Sequence, residues 1–236
     1  MPVWKRSVDI FFCALAFPFL VVLTLFASVM MRLFSPGPIF FLQERVGLDG
    51  RRFKIYKFRT MHVQADTKGH QEHFTQLRET NSPMLKLDSK RDARLITGCW
   101  LMRSTGLDEL PQIVNIWQGD MSIVGPRPCI SYEFEQYTDK QRERCKSVPG
   151  LTGLWQVSGK NRTTFAEMIR LDCEYGDRKT LGLDIKIILL TIPALFLQLF
   201  DVIKNRAAAK RQAGTSSGES NPPYVALESV NLGRNN

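Results

Sequence analysis

The sequence has no pair of cysteines at the spacing of a metal knuckle or a disulfide framework. Its five cysteines, Cys13, Cys99, Cys129, Cys145 and Cys173, are odd in number and widely scattered. That pattern argues against a cystine-stapled secreted domain and fits a reducing compartment. Histidine is scarce, with three residues in all. His70 and His73 stand in a polar stretch without a second ligand pair nearby, so they read as residues of a solvated helix rather than a metal site. No nucleic-acid-binding motif is present either. The net charge of +9 therefore points to acidic lipid headgroups and phosphate-bearing substrates.

Charge is missing altogether from Ile10 to Met31, about 22 residues, or roughly 33 Å as a helix, which is enough to cross a hydrocarbon core. The run is too long for a signal-peptide core, lacks a small-residue cleavage site and follows only Lys5 and Arg6, so a retained membrane segment is expected. Pro18 lies near its middle, where the missing amide and the ring's clash with the preceding turn favour a kink. Basic residues flank both ends: Lys5 and Arg6 before it, Arg32, Arg45, Arg51, Arg52, Lys54, Lys57 and Arg59 after it. A spanning helix would put the heavier flank inside, whereas a helix that enters and returns would keep both flanks on one face. Charge permits either.

What remains, in a chain of 236 residues that is 44% hydrophobic and 10% aromatic, suffices for one globular core with appendages. Ile39 to Val46 and Arg52 to Phe58 read as strands joined through Gly47-Leu48-Asp49-Gly50 into a hairpin. Asp66 to Lys90 reads as a surface helix plus loop. Thr105-Gly106-Leu107-Asp108 has capping-box spacing, and Ile113, Val114, Ile116 and Trp117 supply the apolar stripe of a following helix, which places Asp108 and Glu109 near a helix start. Leu183 to Ile203 is apolar but interrupted by Lys186 and Pro193, so it is expected in the interface or core rather than across the membrane. From about Asn205 the composition is that of a disordered tail.

Adjacent acids are common on protein surfaces, and Asp108-Glu109 alone would read as a solvated helix start. The context adds Arg103 upstream and Gly125-Pro126-Arg127-Pro128 downstream, cations on constrained loops around a carboxylate pair. Such an array suits phosphate and a hard divalent cation, with both acids on the metal, or one on the metal and the other attacking phosphorus. Lys57 and Arg59 are candidates for headgroups or diphosphate, against a plain solvated strand end. Asp172 is a candidate for a metal or substrate against a helix-surface role. Trp155 reads as packing more readily than as base stacking.

The run Arg103-Ser104-Thr105-Gly106-Leu107-Asp108-Glu109-Leu110-Pro111-Gln112 resembles the core motif of the bacterial sugar transferase family, the monotopic phosphoglycosyl transferases. The resemblance extends through Gln43-Glu44-Arg45-Val46-Gly47, Lys57-Phe58-Arg59-Thr60-Met61, Gly119-Asp120-Met121-Ser122, Val124-Gly125-Pro126-Arg127-Pro128 and Pro149-Gly150-Leu151-Thr152-Gly153-Leu154-Trp155-Gln156. It covers nearly everything from Lys5 to about Leu199. It implies an acidic pair, Asp108 and Glu109, working with magnesium on a UDP-sugar, and an N-terminal helix that re-enters the membrane at Pro18. Such family members often carry Ser before that proline. This chain has Phe17, which offers no hydroxyl to a carbonyl freed at the kink.

The expected architecture is a mainly helical α+β monotopic membrane protein. Residues 1–35 form the re-entrant helix, 36–204 a cytoplasmic membrane-associated catalytic domain with a small β-hairpin, and 205–236 the tail. It looks like a minimal catalytic form, without the extra N-terminal spans of longer relatives. The resemblance implies transfer of a sugar 1-phosphate to polyprenyl (undecaprenyl) phosphate on the cytoplasmic face of the bacterial inner membrane, with release of UMP. Asp108 is the expected nucleophile, Glu109 the magnesium ligand with Asp172 as a further candidate, and Arg103, Arg127, Lys57 and Arg59 the phosphate-binding cations. Expected partners are the UDP-sugar, the lipid acceptor and inner-membrane lipids; nucleic acid is not one, and a homo-oligomer is compatible with the sequence. Two rival classes are a membrane lipid-phosphate phosphatase, which would not depend on a nucleotide sugar, and a basic membrane scaffold, which would be indifferent to Asp108.

Overall fold

The computed structural model describes residues 1–62, 74–78, 80, 82–84 and 94–216. His70 and His73, and most of the polar stretch around them, lie outside the described residues. The fold is mainly helical, built on one long N-terminal helix, α1 (Val3–Phe34). A hairpin follows, of β1 (Phe40–Val46) and β2 (Arg52–Phe58), antiparallel and in register from Phe40 opposite Phe58 to Val46 opposite Arg52. Its turn closes with Asp49 (φ 52°) and Gly50 (φ 78°) both left-handed, the conformation that the Asp-Gly pair suits.

Helix α2 (Cys99–Thr105) leads through a 3₁₀ turn (Leu107–Gln112) into α3 (Ile113–Gln118). Strand β3 (Ser122–Val124), short helices α4 (Ser131–Glu135) and α5 (Asp139–Arg142), strand β4 (Gly150–Thr152) and helix α6 (Leu154–Val157) come next. The last described elements are α7 (Phe165–Arg178) and α8 (Leu181–Ser216). Strands β3 and β4 pair in parallel, Ser122 with Gly150 and Val124 with Thr152. Just past that pair the two chain segments almost touch: a Cβ on Gly125 would overlap the Val148 carbonyl oxygen, and one on Gly150 would overlap the Gly125 amide nitrogen. This close approach fixes where the Pro126-Arg127-Pro128 loop emerges.

Helix α1 buries a single stripe along its whole length, through Lys5, Asp9, Cys13, Leu20, Ala27 and Met31. From Cys13 to Met31 this stripe packs into a core with Ile55, Phe58, Ile113, Ile116 and Met121. Both ends are tied to the same globular body by polar contacts. Near the start, Lys5 Nζ donates to Asp184 Oδ2 (2.6 Å), the Tyr175 hydroxyl (2.9 Å) and the Val124 carbonyl (2.8 Å). Asp9 Oδ1 accepts from Ser122 Oγ (2.9 Å) and the Ile123 amide (2.8 Å). Beyond the far end, the Ser35 carbonyl accepts from Arg59 Nη2 at 2.7 Å.

The opposite face of α1 exposes Phe11, Phe19, Val22, Leu25, Phe26 and Leu33, and α8 exposes Leu189, Ile192, Phe196, Leu197 and Phe200. Contiguous apolar surface on this scale is foreign to a water-surrounded monomer and native to lipid contact. Both helices are long and apolar enough to cross a membrane. Helix α8 runs unbroken through Lys186 and Pro193, the two residues that interrupt its apolar run. It also continues to Ser216, past Asn205, where the tail was expected to begin.

Candidate active site

The acidic pair is placed by a glycine. Gly106 is left-handed (φ 74°) and ends α2, so the chain turns and restarts as the 3₁₀ turn, with the Glu109 amide donating to the Gly106 carbonyl at 3.0 Å. The capping box expected at Thr105 does not form. Thr105 belongs to the end of α2, and its hydroxyl donates back to the carbonyls of Leu101 (2.8 Å) and Met102 (3.2 Å). Asp108 is buried and Glu109 partly so, and both lie at the start of the turn that becomes α3.

Strand β2 packs against this turn and brings Lys57, whose Nζ donates to Glu109 Oε1 at 2.7 Å. Asn115, fully buried in α3, fixes that strand by donating to the Lys54 carbonyl (2.7 Å) and accepting from the Tyr56 amide (3.1 Å). Arg127 approaches the same Glu109 oxygen at 3.8 Å. Burial pushes the Glu109 carboxyl up, but Lys57 and Arg127 outweigh it and hold the group well below the usual carboxylate range. Burial pulls the Lys57 ammonium down, with Glu109 opposing and Arg127 and Arg45 reinforcing. The result is a carboxylate that stays ionised beneath concentrated positive charge, a setting that attracts a diphosphate.

Arg45 completes the cluster and was not singled out as a site residue. It is buried on β1, donates to the Pro128 carbonyl (3.1 Å) and Gln43 Oε1 (2.7 Å), and is pulled down to about 10 by burial and then by Arg127. At that value it remains a cation, and it pins the loop that carries Arg127.

Two predicted residues stand apart. Arg59 is buried and spends its guanidinium on the Ser35 carbonyl and on the Pro36 carbonyl (3.2 Å), so it fastens the exit of α1. Asp172 is buried on α7 in an ion pair with Arg144. Arg144 donates in turn to the Tyr137 hydroxyl (2.8 Å) and the Arg127 carbonyl (2.9 Å), so this acid supports the Arg127 loop from behind. Arg103 donates from α2 to Thr60 Oγ1 at 3.2 Å, at the end of the segment leaving β2. Trp155 is packed in the core and donates to Thr163 Oγ1 at 2.7 Å.

A hard divalent cation finds a suitable donor pair in the adjacent carboxylates of Asp108 and Glu109. No group of three or more His, Cys, Asp or Glu side chains able to hold a metal occurs among the described residues. Two carboxylates with substrate phosphates and water are the usual surroundings of magnesium, so the residues fit that ion.

This combination suits phosphoryl transfer on a phosphate-bearing substrate. The sequence pattern of the bacterial sugar transferase family matches residues 1–198, and the chain belongs to that family. It is similar to the exopolysaccharide production protein ExoY of Sinorhizobium fredii, with 37% identity over 199 residues, 82% of this chain and 85% of that protein. It is also similar to the UDP-glucose:undecaprenyl-phosphate glucose-1-phosphate transferase of Caulobacter vibrioides, with 36% identity over 81% of this chain and 69% of that protein. The galactosyl transferase CpsE of Streptococcus agalactiae is 42% identical over 68% of this chain, a stretch that spans 35% of that longer protein.

Proposed function

We propose that the protein moves a sugar 1-phosphate from a UDP-sugar to polyprenyl phosphate of the undecaprenyl type and releases UMP, as an opening step of exopolysaccharide, capsule, O-antigen or glycoprotein glycan assembly. One observation carries this reading: the cation-clamped acidic pair adjoins exposed apolar side chains, Leu107 directly before Asp108 and Leu101 on the helix α2 that leads into the turn. A polar donor and a lipid acceptor can thus meet at one place. The name of the relative from Caulobacter vibrioides supports both substrates, and that of the Salmonella typhimurium relative, an undecaprenyl-phosphate galactose phosphotransferase, supports the lipid acceptor.

Asp108 attacks the phosphorus that bears the sugar, the bond to UMP breaks, and UMP leaves with that electron pair. A phosphate oxygen of the lipid then attacks the aspartyl phosphorus, and the Asp108 carboxylate is restored as the lipid diphosphate sugar departs. Lys57, Arg127 and Arg103 neutralise the diphosphate oxygens as charge moves towards the leaving group. Magnesium, held by Glu109 beside Asp108, supplies further charge neutralisation when bound. The test is release of UMP from a panel of UDP-sugars with magnesium, with and without undecaprenyl phosphate. Turnover is expected with one sugar and only with the lipid present; hydrolysis of a lipid phosphate without any nucleotide sugar would instead favour a phosphatase.

We further propose that both ends of α1 lie on the cytoplasmic face of the inner membrane. The buried stripe and the polar ties at Lys5, Asp9 and Ser35 hold both ends against one globular body, which a helix spanning the bilayer would not allow. In intact cells and inverted vesicles, Pro2→Cys and Pro38→Cys are expected to label from the cytoplasmic side alone. Position 38 is chosen over Gly37, where a side chain would press on the Arg59 guanidinium at 2.8 Å. Periplasmic labelling at residue 2 would overturn the re-entrant reading without touching the chemistry.

A further inference from the structure

Lys160 holds a backbone conformation that a lysine rarely adopts. Its φ is 39°, directly after Gly159 at 120°, and a side chain kept in the left-handed region marks a position where the surroundings dictate the shape. The strained turn sends Lys160 Nζ to Gln198 Oε1 at 3.0 Å. Gln198 is on α8, and its amide donates to the carbonyls of Ser104 (3.0 Å) and Arg103 (3.5 Å), the segment that leads into the acidic pair. Gln198 itself is half-buried and turned towards the body, while Phe196, Leu197 and Phe200 around it are 58%, 62% and 67% exposed on the outer side of α8, so the lysine sits at the inner edge of a helix whose outer face meets lipid. The charge of Lys160 also reaches Glu109, alongside those of Lys57 and Arg127.

The cations around the acidic pair therefore divide by approach. Lys57 comes from β2 and Arg127 from the loop after β3, both on the folded body. Lys160 comes from the turn Lys160–Arg162 between α6 and α7 and is bonded to the inner side of α8, whose outer face is apolar. A lipid phosphate whose tail lies against α8 carries its charge to the site along that side, and it is repelled by Asp108 and Glu109 unless a cation meets it there. We propose that Lys160, seated by Gln198, binds the phosphate of the lipid acceptor, whereas Lys57 and Arg127 serve the nucleotide donor. This rests on the two-step reaction proposed above.

The two half-reactions separate the roles. Exchange of labelled UMP into the UDP-sugar, without lipid, reports only the donor step; steady-state turnover against undecaprenyl phosphate reports both. Lys160→Gln is expected to raise the KM for undecaprenyl phosphate about tenfold or more, the weight of one charge-assisted contact, and to depress exchange far less. Lys160→Arg should recover most of the lipid KM, and Gln198→Ala should raise it in the same direction. Lys160→Gly removes the ammonium and relieves the left-handed strain, so its thermal midpoint should match or exceed that of the wild type while its lipid KM rises. That variant separates acceptor binding from folding. Exchange lost as fully as turnover in Lys160→Gln, or a lipid KM that does not move, would overturn the assignment. Absence of exchange in the wild type itself would overturn the two-step reaction and this proposal with it.

Discussion

Asp108→Asn is expected to lower turnover by about 10³-fold or more, the scale of losing an attacking group, and to leave no phosphosugar adduct when the protein meets donor and magnesium without lipid. Gly106 in the left-handed region and the Glu109 amide bonded to the Gly106 carbonyl at 3.0 Å fix the backbone on both sides of Asp108. Its side chain is short and buried, so the carboxylate has little freedom, and an in-line attack gains from that restriction. Glu109 is committed differently. Its Oε1 accepts from Lys57 at 2.7 Å and faces Arg127 at 3.8 Å, and attack by that oxygen would first have to break the ion pair. Asparagine keeps the size and the fold at position 108 but supplies no anion. Glu109→Gln should weaken the dependence on magnesium and slow the reaction, yet still permit the adduct. Intact-protein mass spectrometry after incubation with donor, followed by digestion, locates the bond. An adduct on Glu109, or one that persists in Asp108→Asn, would sink the assignment.

Local rules made the hairpin and the acidic pair legible in the sequence. The two strand-like runs on either side of Gly47-Leu48-Asp49-Gly50 specify a hairpin, and β1 and β2 form on those residues. Asp108 and Glu109 stand out through the motif around them, and Lys57 and Arg127 through basic charge near it. What stayed hidden is long-range. Arg45 reads as one basic residue among several, and only the fold shows its guanidinium under the Pro128 carbonyl. Arg59 has the same local signature as Lys57, two residues away, but β2 ends at Phe58, so Lys57 is held on the strand beside Glu109 while Arg59, just past its end, reaches the Ser35 carbonyl. The capping box at Thr105 failed because spacing alone does not say which helix a threonine serves, and the left-handed Gly106 assigns it to the helix before. The left-handed backbone of Lys160 has no sequence signal, since lysine is not a residue of choice for such turns.

Removal of the Asp172 carboxylate is expected to cost about 3–5 kcal/mol of stability, the usual penalty for stranding one member of a buried ion pair, while leaving the magnesium requirement unchanged. Asp172 is 1% exposed and Arg144 3%, and Asp172 Oδ2 accepts from both Nε (3.0 Å) and Nη2 of that arginine. With Asp172→Ala the guanidinium would remain in the interior with only the Tyr137 hydroxyl and the Arg127 carbonyl as partners. In detergent, the thermal midpoint should fall by roughly 10 °C or more for a chain of this size. Activity should fall as well, since Arg144 Nη2 donates to the Arg127 carbonyl at 2.9 Å and an unanchored Arg144 no longer fixes the loop that aims Arg127 at Glu109. The double change Arg144→Met with Asp172→Leu removes both charges together and should recover much of the stability, because an apolar pair of similar volume has no desolvation cost. It should not recover activity, because the Arg127 carbonyl has still lost its donor. A metal-ligand role makes the opposite forecast: the magnesium concentration for half-maximal activity would rise about tenfold or more in a conservative Asp172→Asn variant, with the midpoint little changed. Measuring both quantities on the same variants decides between them, and a shifted magnesium requirement with intact stability would return Asp172 to the metal site.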